Sequence, residues 1–110
     1  MKVHATALID SDAQIGREVE IGPYSVIGAE VVLGDKCVVQ SHVVIEGSVT
    51  IGPNNLIGHG SVIGAPPQDL SFSPDRKTGV QIGRDNVIRE YCTIHRGSPE
   101  GTCTKIGDAN

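Results

Sequence analysis

Ile15-Gly16-Arg17-Glu18-Val19-Glu20-Ile21-Gly22-Pro23-Tyr24-Ser25-Val26-Ile27-Gly28 holds the pattern that organises the whole chain. An aliphatic residue recurs every sixth position, a glycine follows it directly, and a smaller residue (Val19, Ser25) stands four places on. Followed outward, the aliphatic position is filled by Ile9, Leu33, Val39, Ile45, Ile51, Ile57 and Ile63. It lapses, then resumes at Ile82, Ile88, Ile94 and Ile106, with Glu100 as the one miss. All 12 isoleucines of the chain stand on this ladder, which makes it an internal repeat and not a run of coincidences. Glycine follows the ladder residue at 16, 22, 28, 34, 52, 58, 64, 83 and 107.

A period of six fits neither an α-helix nor a heptad coiled coil. It fits short strands joined by turns. Three hexads make an 18-residue coil with three flat faces, so Ile9, Ile27, Ile45 and Ile63 stack on one face. Ile15, Leu33 and Ile51 stack on the second, and Ile21, Val39 and Ile57 on the third. The ladder residue and the smaller residue four places on both point inward, because a narrow prism has room for one large and one small side chain per turn. The glycines take the turns, where a positive φ or a close chain approach is needed. The expected fold is all-β: a parallel β-helix of hexapeptide repeats, with about five coils in one domain over residues 1–110. Asn55, Asn86 and Asn110 fall in equivalent inward places and are expected to bond turn backbone.

Composition agrees. The 110 residues include 14 Gly but no Trp, one Phe and two Tyr, so the interior must be built from branched aliphatics. No apolar run approaches the roughly 18 residues that span a membrane, and Met1-Lys2-Val3-His4 opens no secretory signal. The three cysteines lack metal-ligand or disulfide-framework spacing, which fits a reducing, cytoplasmic setting. Cys37 and Cys92 fall in the small inward slot and read as core thiols, whereas Cys103 lies off it. A net charge of −4 without a Lys/Arg cluster argues against a nucleic-acid partner. His59, between Gly58 and Gly60, reads as a solvated turn residue.

One segment leaves the repeat. Ile63 and Ile82 are 19 residues apart, one hexad plus 13 extra, and residues 65–81 hold three of the six prolines and the only Phe. This is expected to be a loop extruded from a coil corner, the usual place for function on a rigid scaffold.

The ladder, together with Gln40-Ser41-His42-Val43-Val44-Ile45, Pro67-Gln68-Asp69-Leu70, Arg89-Glu90-Tyr91-Cys92-Thr93-Ile94-His95-Arg96-Gly97 and Thr104-Lys105-Ile106-Gly107, resembles the acyl-ACP:UDP-N-acetylglucosamine O-acyltransferases of lipid A biosynthesis. The hexads alone are shared by many acyl- and acetyltransferases, whereas the Gln-Asp-Leu and Thr-Ile-His-Arg-Gly segments are more specific. The resemblance implies a left-handed helix, an exception to the right-handed rule for parallel crossovers. It implies a homotrimer with active sites between subunits, and transfer of a 3-hydroxyacyl chain from acyl carrier protein to a sugar hydroxyl. No metal or other cofactor is implied; a histidine serves as general base and backbone N–H groups hold the oxyanion. Gln68, Asp69 and Leu70 match the loop that contacts the nucleotide sugar, and His95 matches a histidine lining the cleft.

This chain departs from the family pattern in three places. Ser71 stands where a lysine usually follows Gln-Asp-Leu, leaving Arg76 or Lys77 as substitutes for meeting phosphate, and Gln40 stands where a lysine is expected. The family's general-base histidine is expected about ten residues beyond Asn110, so the sequence reads as the N-terminal part of such an enzyme, without the base. Two other readings stay open: a non-catalytic β-helix trimerisation module, and a related N-acyl- or acetyltransferase.

Overall fold

The computed structural model describes residues 2–66 and 77–110. Among the described residues, fifteen short strands form three five-stranded sheets, and every pairing is parallel. The first sheet stacks β1 (Lys2–Val3), β4 (Glu20–Ile21), β7 (Val38–Val39), β10 (Leu56–Ile57) and β13 (Val87–Ile88). The second stacks β2 (Leu8–Ile9), β5 (Val26–Ile27), β8 (Val44–Ile45), β11 (Val62–Ala65) and β14 (Thr93–His95). The third stacks β3 (Gln14–Ile15), β6 (Val31–Leu33), β9 (Ser48–Ile51), β12 (Gly79–Ile82) and β15 (Cys103–Ile106). The chain visits the sheets in strict rotation, so each circuit is one coil. The ladder residues pair with one another as the six-residue period requires: Ile9↔Ile27↔Ile45↔Ile63↔Ile94, for example.

Both inward positions are buried as expected. From Ile21 to Ile88 every ladder residue of the described strands is buried, while Ile9, Ile15, Ile94 and Ile106, on the outer coils, are partly covered. In the slot four places on, Val19, Ser25, Val31, Cys37, Val43, Val49, Asn55, Ser61, Val80 and Asn86 are all buried. Each polar residue there has backbone partners, as burial demands. Ser25 Oγ donates to the Gln40 carbonyl (2.8 Å) and accepts from the Val43 N–H; Ser61 repeats this with Arg89 (2.8 Å) and Cys92.

The asparagines form a column. Asn55 Nδ2 donates to the carbonyls of Gly52 and Gly83 (both 2.7 Å), and its Oδ1 accepts from the Asn86 N–H (2.8 Å). Asn86 repeats the motif one coil on, donating to Gly107 O and accepting from Asn110 N–H, both at 2.8 Å.

The turns divide two tasks that the sequence assigned to one residue. Glycines directly after the ladder allow close approach: a Cβ on Gly34 would lie 2.6 Å from Gly52 C, and one on Gly58 2.6 Å from Arg89 C. The positive φ falls two residues later. At the corner between the third and first sheets it is taken by Glu18, Lys36, Asn54, Asp85 and Ala109, and at the corner between the first and second by Tyr24, His42, Gly60 and Tyr91. Left-handed backbone costs a non-glycine residue about 1–2 kcal/mol. Bonds between coils offset this: the N–H of Lys36 donates to Arg17 O (2.8 Å), that of Asn54 to Asp35 O (2.9 Å) and that of Tyr91 to His59 O (2.8 Å).

Two expectations need correction. The loop is narrower than 65–81: β11 runs through Ala65, and β12 opens at Gly79, with Gly79–Ile82 matched residue for residue to Ser48–Ile51. Position 100 is not a ladder miss. Ile82 pairs with Ile106, 24 residues away where 18 is the rule, so the segment between β14 and β15 carries a second, six-residue excursion that includes Glu100.

The cysteines differ in exposure: Cys37 is buried, Cys92 half-buried and Cys103 exposed. Burial pushes the Cys37 thiol up from its ordinary value, partly countered by hydrogen bonding to Asn55. A thiol raised in the folded state keeps its proton while the unfolded chain ionises, so its contribution is intact below about pH 8.5 and is lost as pH rises above that. Thiol titration with a disulfide reagent at pH 8 is expected to label Cys103 within the mixing time, Cys92 more slowly, and Cys37 only on unfolding. Equal rates for Cys37 and Cys103 would show that the coil interior is open.

Candidate functional site

Both excursions leave from the corner between the second and third sheets, and a groove lies where they meet. Its volume is about 470 Å³, and it is lined by Glu30, Ser48, Lys77, Thr78, Arg96 and Thr102 with Gly47, Gly79, Gly101 and Cys103. Each wall has a local cause. At Gly64 the chain takes φ +89°, and the pairing slips from Ile63↔Ile94 to Ala65↔His95, a bulge that re-aims the strand end. The other wall is laced by backbone bonds: Gly97 N–H to Gly79 O (3.3 Å), Gly79 N–H to Thr102 O (3.2 Å) and Gly101 N–H to Lys77 O (3.0 Å). The Glu100 side chain accepts the Lys77 N–H at 2.6 Å, which ties the second excursion to the end of the first.

His95 ends β14, half-buried, on the same corner. Thr104 occupies the inward slot on β15 and donates its hydroxyl to the His95 carbonyl (2.6 Å), while the next residue's N–H, that of Arg96, bonds Ala65 O (3.0 Å). The backbone on both sides of the imidazole is thereby held. Gln68, Asp69 and Leu70 lie outside the described residues; the described chain leaves toward them at Pro66 and returns at Lys77, beside the groove.

The family resemblance singled out His95 as cleft-lining but gave no role to Ser48, Thr78, Arg96 or Thr102. Thr78 is the most informative of these: it is 6% exposed, and its hydroxyl is buried without a hydrogen-bond partner among the described residues. The signal for the rest was their position beside a break in the hexads, visible only once the second excursion is recognised.

A second groove, of about 630 Å³, runs along the corner between the first and second sheets, lined by Ser41, His42, His59, Gly60, Glu90 and Tyr91. His59 is exposed, as expected, but it is engaged: its Nδ1 accepts from the Ser41 N–H (3.1 Å) and lies 2.7 Å from Ser41 Oγ. Asp35 and Asp108 do the same at the other corner, accepting the N–H of Arg17 and Arg84 from the preceding coil (both 2.8 Å). His59 is thus a turn cap between coils. Glu90 has its carboxyl held below the usual range by hydrogen bonding to its own backbone and to Arg89. Among the described residues no group of three or more His, Cys, Asp or Glu is placed to hold a metal ion.

Comparison with known proteins agrees with this geometry. The family model described as bacterial transferase hexapeptide (six repeats) matches residues 30–65. The acyl-[acyl-carrier-protein]–UDP-N-acetylglucosamine O-acyltransferase of Syntrophobacter fumaroxidans is 44% identical over 111 residues, taking in 100% of this chain and 43% of its own length. The solved structure of LpxA from Acinetobacter baumannii superimposes with TM-score 0.90 at 42% identity, over 96% of this chain and 41% of that one. The chain belongs to the hexapeptide-repeat acyltransferases. The UDP-N-acetylglucosamine acyltransferase of Francisella novicida gives the same TM-score, 0.90, at 37% identity, over 96% of this chain and 38% of its own. The fold is the left-handed parallel β-helix of these enzymes, and the chain corresponds to its N-terminal portion. It spans less than half the length of these family members. Among the described residues no helix is long and apolar enough to cross a membrane.

Proposed function

We propose that this chain is the nucleotide-sugar-holding β-helix of an O-acyltransferase that moves a 3-hydroxyacyl chain from acyl carrier protein to UDP-N-acetylglucosamine. The observation that carries this reading is the 44% identity, across the entire chain, to an enzyme named for that donor and acceptor. The corner geometry supports it. The segment bearing Gln68 and Asp69 springs from the bulge at Gly64, and the polar groove sits beside His95.

In this reading Gln68 and Asp69 supply an amide and a carboxylate to the hydroxyls of the sugar nucleotide, with Leu70 beside them. His95 lines the cleft, its backbone fixed by Thr104. The protein works as a cytoplasmic homotrimer, its cleft completed by a neighbouring copy, with acyl carrier protein as donor. Rigid coils suit the task, since a site held within fractions of an ångström avoids reorganisation when substrate binds. Calorimetric titration with UDP-N-acetylglucosamine is expected to show saturable binding that Asp69→Ala weakens at least tenfold, by loss of a charge-assisted bond. Saturable binding that Asp69→Ala leaves unchanged removes the loop from the site. No binding at all favours a purely structural module.

A further inference from the structure

The groove along the corner between the first and second sheets presents a hydroxyl, an imidazole and a carboxylate on successive coils. Leu56 pairs with Val38 on one side and Val87 on the other, so Ser41, His59 and Glu90, each three residues further on, stand in one column. Neighbouring strands lie about 4.8 Å apart, close enough for such side chains to meet in line. Ser41 Oγ lies 2.7 Å from His59 Nδ1, and the Ser41 N–H donates to the same nitrogen at 3.1 Å. An N–H donates only to a bare ring nitrogen, so the ring proton is on Nε2 and the Ser41 hydroxyl also aims its proton at Nδ1. The caps at the other corner lack this second contact, because Asp35 and Asp108 accept from Arg17 and Arg84, which carry no hydroxyl. One coil beyond His59, the Glu90 carboxyl is kept ionised by bonds to its own backbone and to Arg89, and it also feels the charge of His59.

We propose that Ser41 is a nucleophile activated by His59, and that this groove takes small activated carboxylic esters and transfers their acyl group to Ser41. Ser41 Oγ forms a bond to the carbonyl carbon as its proton moves to His59 Nδ1. The bond from that carbon to the leaving oxygen then breaks, and the oxygen keeps the electron pair and takes the proton from His59. The Glu90 carboxylate steadies the imidazolium between the two steps. The walls suit an aryl or acyl group: the His42 ring packs on Tyr24 with centroids 5.3 Å apart, and Tyr91 lies over Gly60, where a Cβ would come within 2.5 Å of its Cε1. A volume of about 630 Å³ is room enough for a small ester. The backbone limits the chemistry. The His42 N–H is bonded to Pro23 O and the Gly60 N–H to Ser41 O (both 3.0 Å), so neither is free to hold an oxyanion. Esters with a good leaving group react, whereas amides and alkyl esters do not. Acyl-Ser41 is itself an alkyl ester, so it accumulates. This site and the nucleotide-sugar groove lie at different corners, and neither reading depends on the other.

Incubation of the intact protein, its thiols blocked beforehand, with p-nitrophenyl acetate, followed by peptide mass spectrometry, tests the proposal. Acetyl-Ser41 is expected to form at least about tenfold faster than acetyl-Ser48, an exposed serine on β9. His59→Asp separates chemistry from capping. An aspartate accepts the Ser41 N–H as Asp35 accepts that of Arg17, so the thermal midpoint is expected to hold. A carboxylate is a far weaker base than imidazole, so acetylation of Ser41 is expected to slow about tenfold or more. Ser41→Ala keeps the capped N–H, and is expected to remove the burst of p-nitrophenolate while leaving the fold intact. Acetylation of Ser41 no faster than that of Ser48, an unchanged rate in His59→Asp, or an undiminished burst in Ser41→Ala overturns the proposal.

Discussion

Asn55→Ala is expected to lower the thermal midpoint by about 15 °C. The side chain is fully buried, and its two polar atoms serve Gly52 O, Gly83 O and Asn86 N–H, with Pro53 O a longer partner at 3.4 Å. Alanine fills less space and satisfies none of them. Each orphaned buried group costs about 1–3 kcal/mol, partial relaxation recovers some of that, and a total of about 3–5 kcal/mol follows. Near 4 °C per kcal/mol for a chain of this size, the shift is about 15 °C. The neighbouring Asn54 is the control: it is exposed and in left-handed backbone, so Asn54→Ala loses only the local preference of asparagine for that conformation, about 1 kcal/mol. Differential scanning calorimetry of the two variants reads the contrast. Equal shifts would mean that the column contributes no more than an ordinary turn.

Gly64→Ala is expected to cost about as much, for a different reason. At φ +89° the residue sits in the left-handed region, and an added Cβ would collide with the Glu46 carbonyl and come within 2.6 Å of Val49 Cγ2. Backbone strain of about 1–3 kcal/mol adds to an overpacking cost of about 1–3 kcal/mol. The damage has a direction. Glu46 belongs to the preceding coil and Ala65 pairs with His95, so relief of the clash moves the strand end that aims both the excursion and the imidazole. Gly101 also has positive φ but nothing within 4 Å of an added Cβ, so Gly101→Ala is expected to cost about 1–2 kcal/mol of backbone strain only. Denaturant unfolding of the pair gives the comparison. Nucleotide-sugar binding should be lost more completely than stability in Gly64→Ala.

The coils were legible because burial dictates the pattern: a narrow prism admits one large and one small side chain at set intervals, and Ile9 to Ile63 show that interval without interruption. The asparagine column was legible for the same reason, since Asn55 and Asn86 stand in slots that only backbone partners can satisfy. The turns were less so. Left-handed backbone at Asn54, Asp85 and His42 follows known preferences, but Tyr24 and Tyr91 adopt it against theirs, because the preceding coil supplies an acceptor to each N–H, the Thr6 hydroxyl for Tyr24 (2.9 Å) and the His59 carbonyl for Tyr91 (2.8 Å). The strand through Gly79 was hidden because Arg76 stands on the ladder position, while Val80 in the inward slot was the available clue. The second excursion was hidden because it is six residues long and so preserves the period at Ile94 and Ile106. Gln68, Asp69 and Leu70 were named only through family resemblance and lie outside the described residues. Thr78 was not legible at all, since a hydroxyl buried without a partner among the described residues is a property of packing and not of spacing.

In the proposed function, a nucleotide sugar sits at the corner between the second and third sheets, where both excursions leave. Backbone amide chemical shifts followed during titration with UDP-N-acetylglucosamine test it most directly. Perturbations are expected to concentrate at Lys77–Gly79, His95–Gly97 and Gly101–Cys103, with the opposite groove at Ser41, His59 and Tyr91 silent. Perturbations centred on Ser41, His59 and Tyr91, or a spectrum unchanged at saturating ligand, would contradict it.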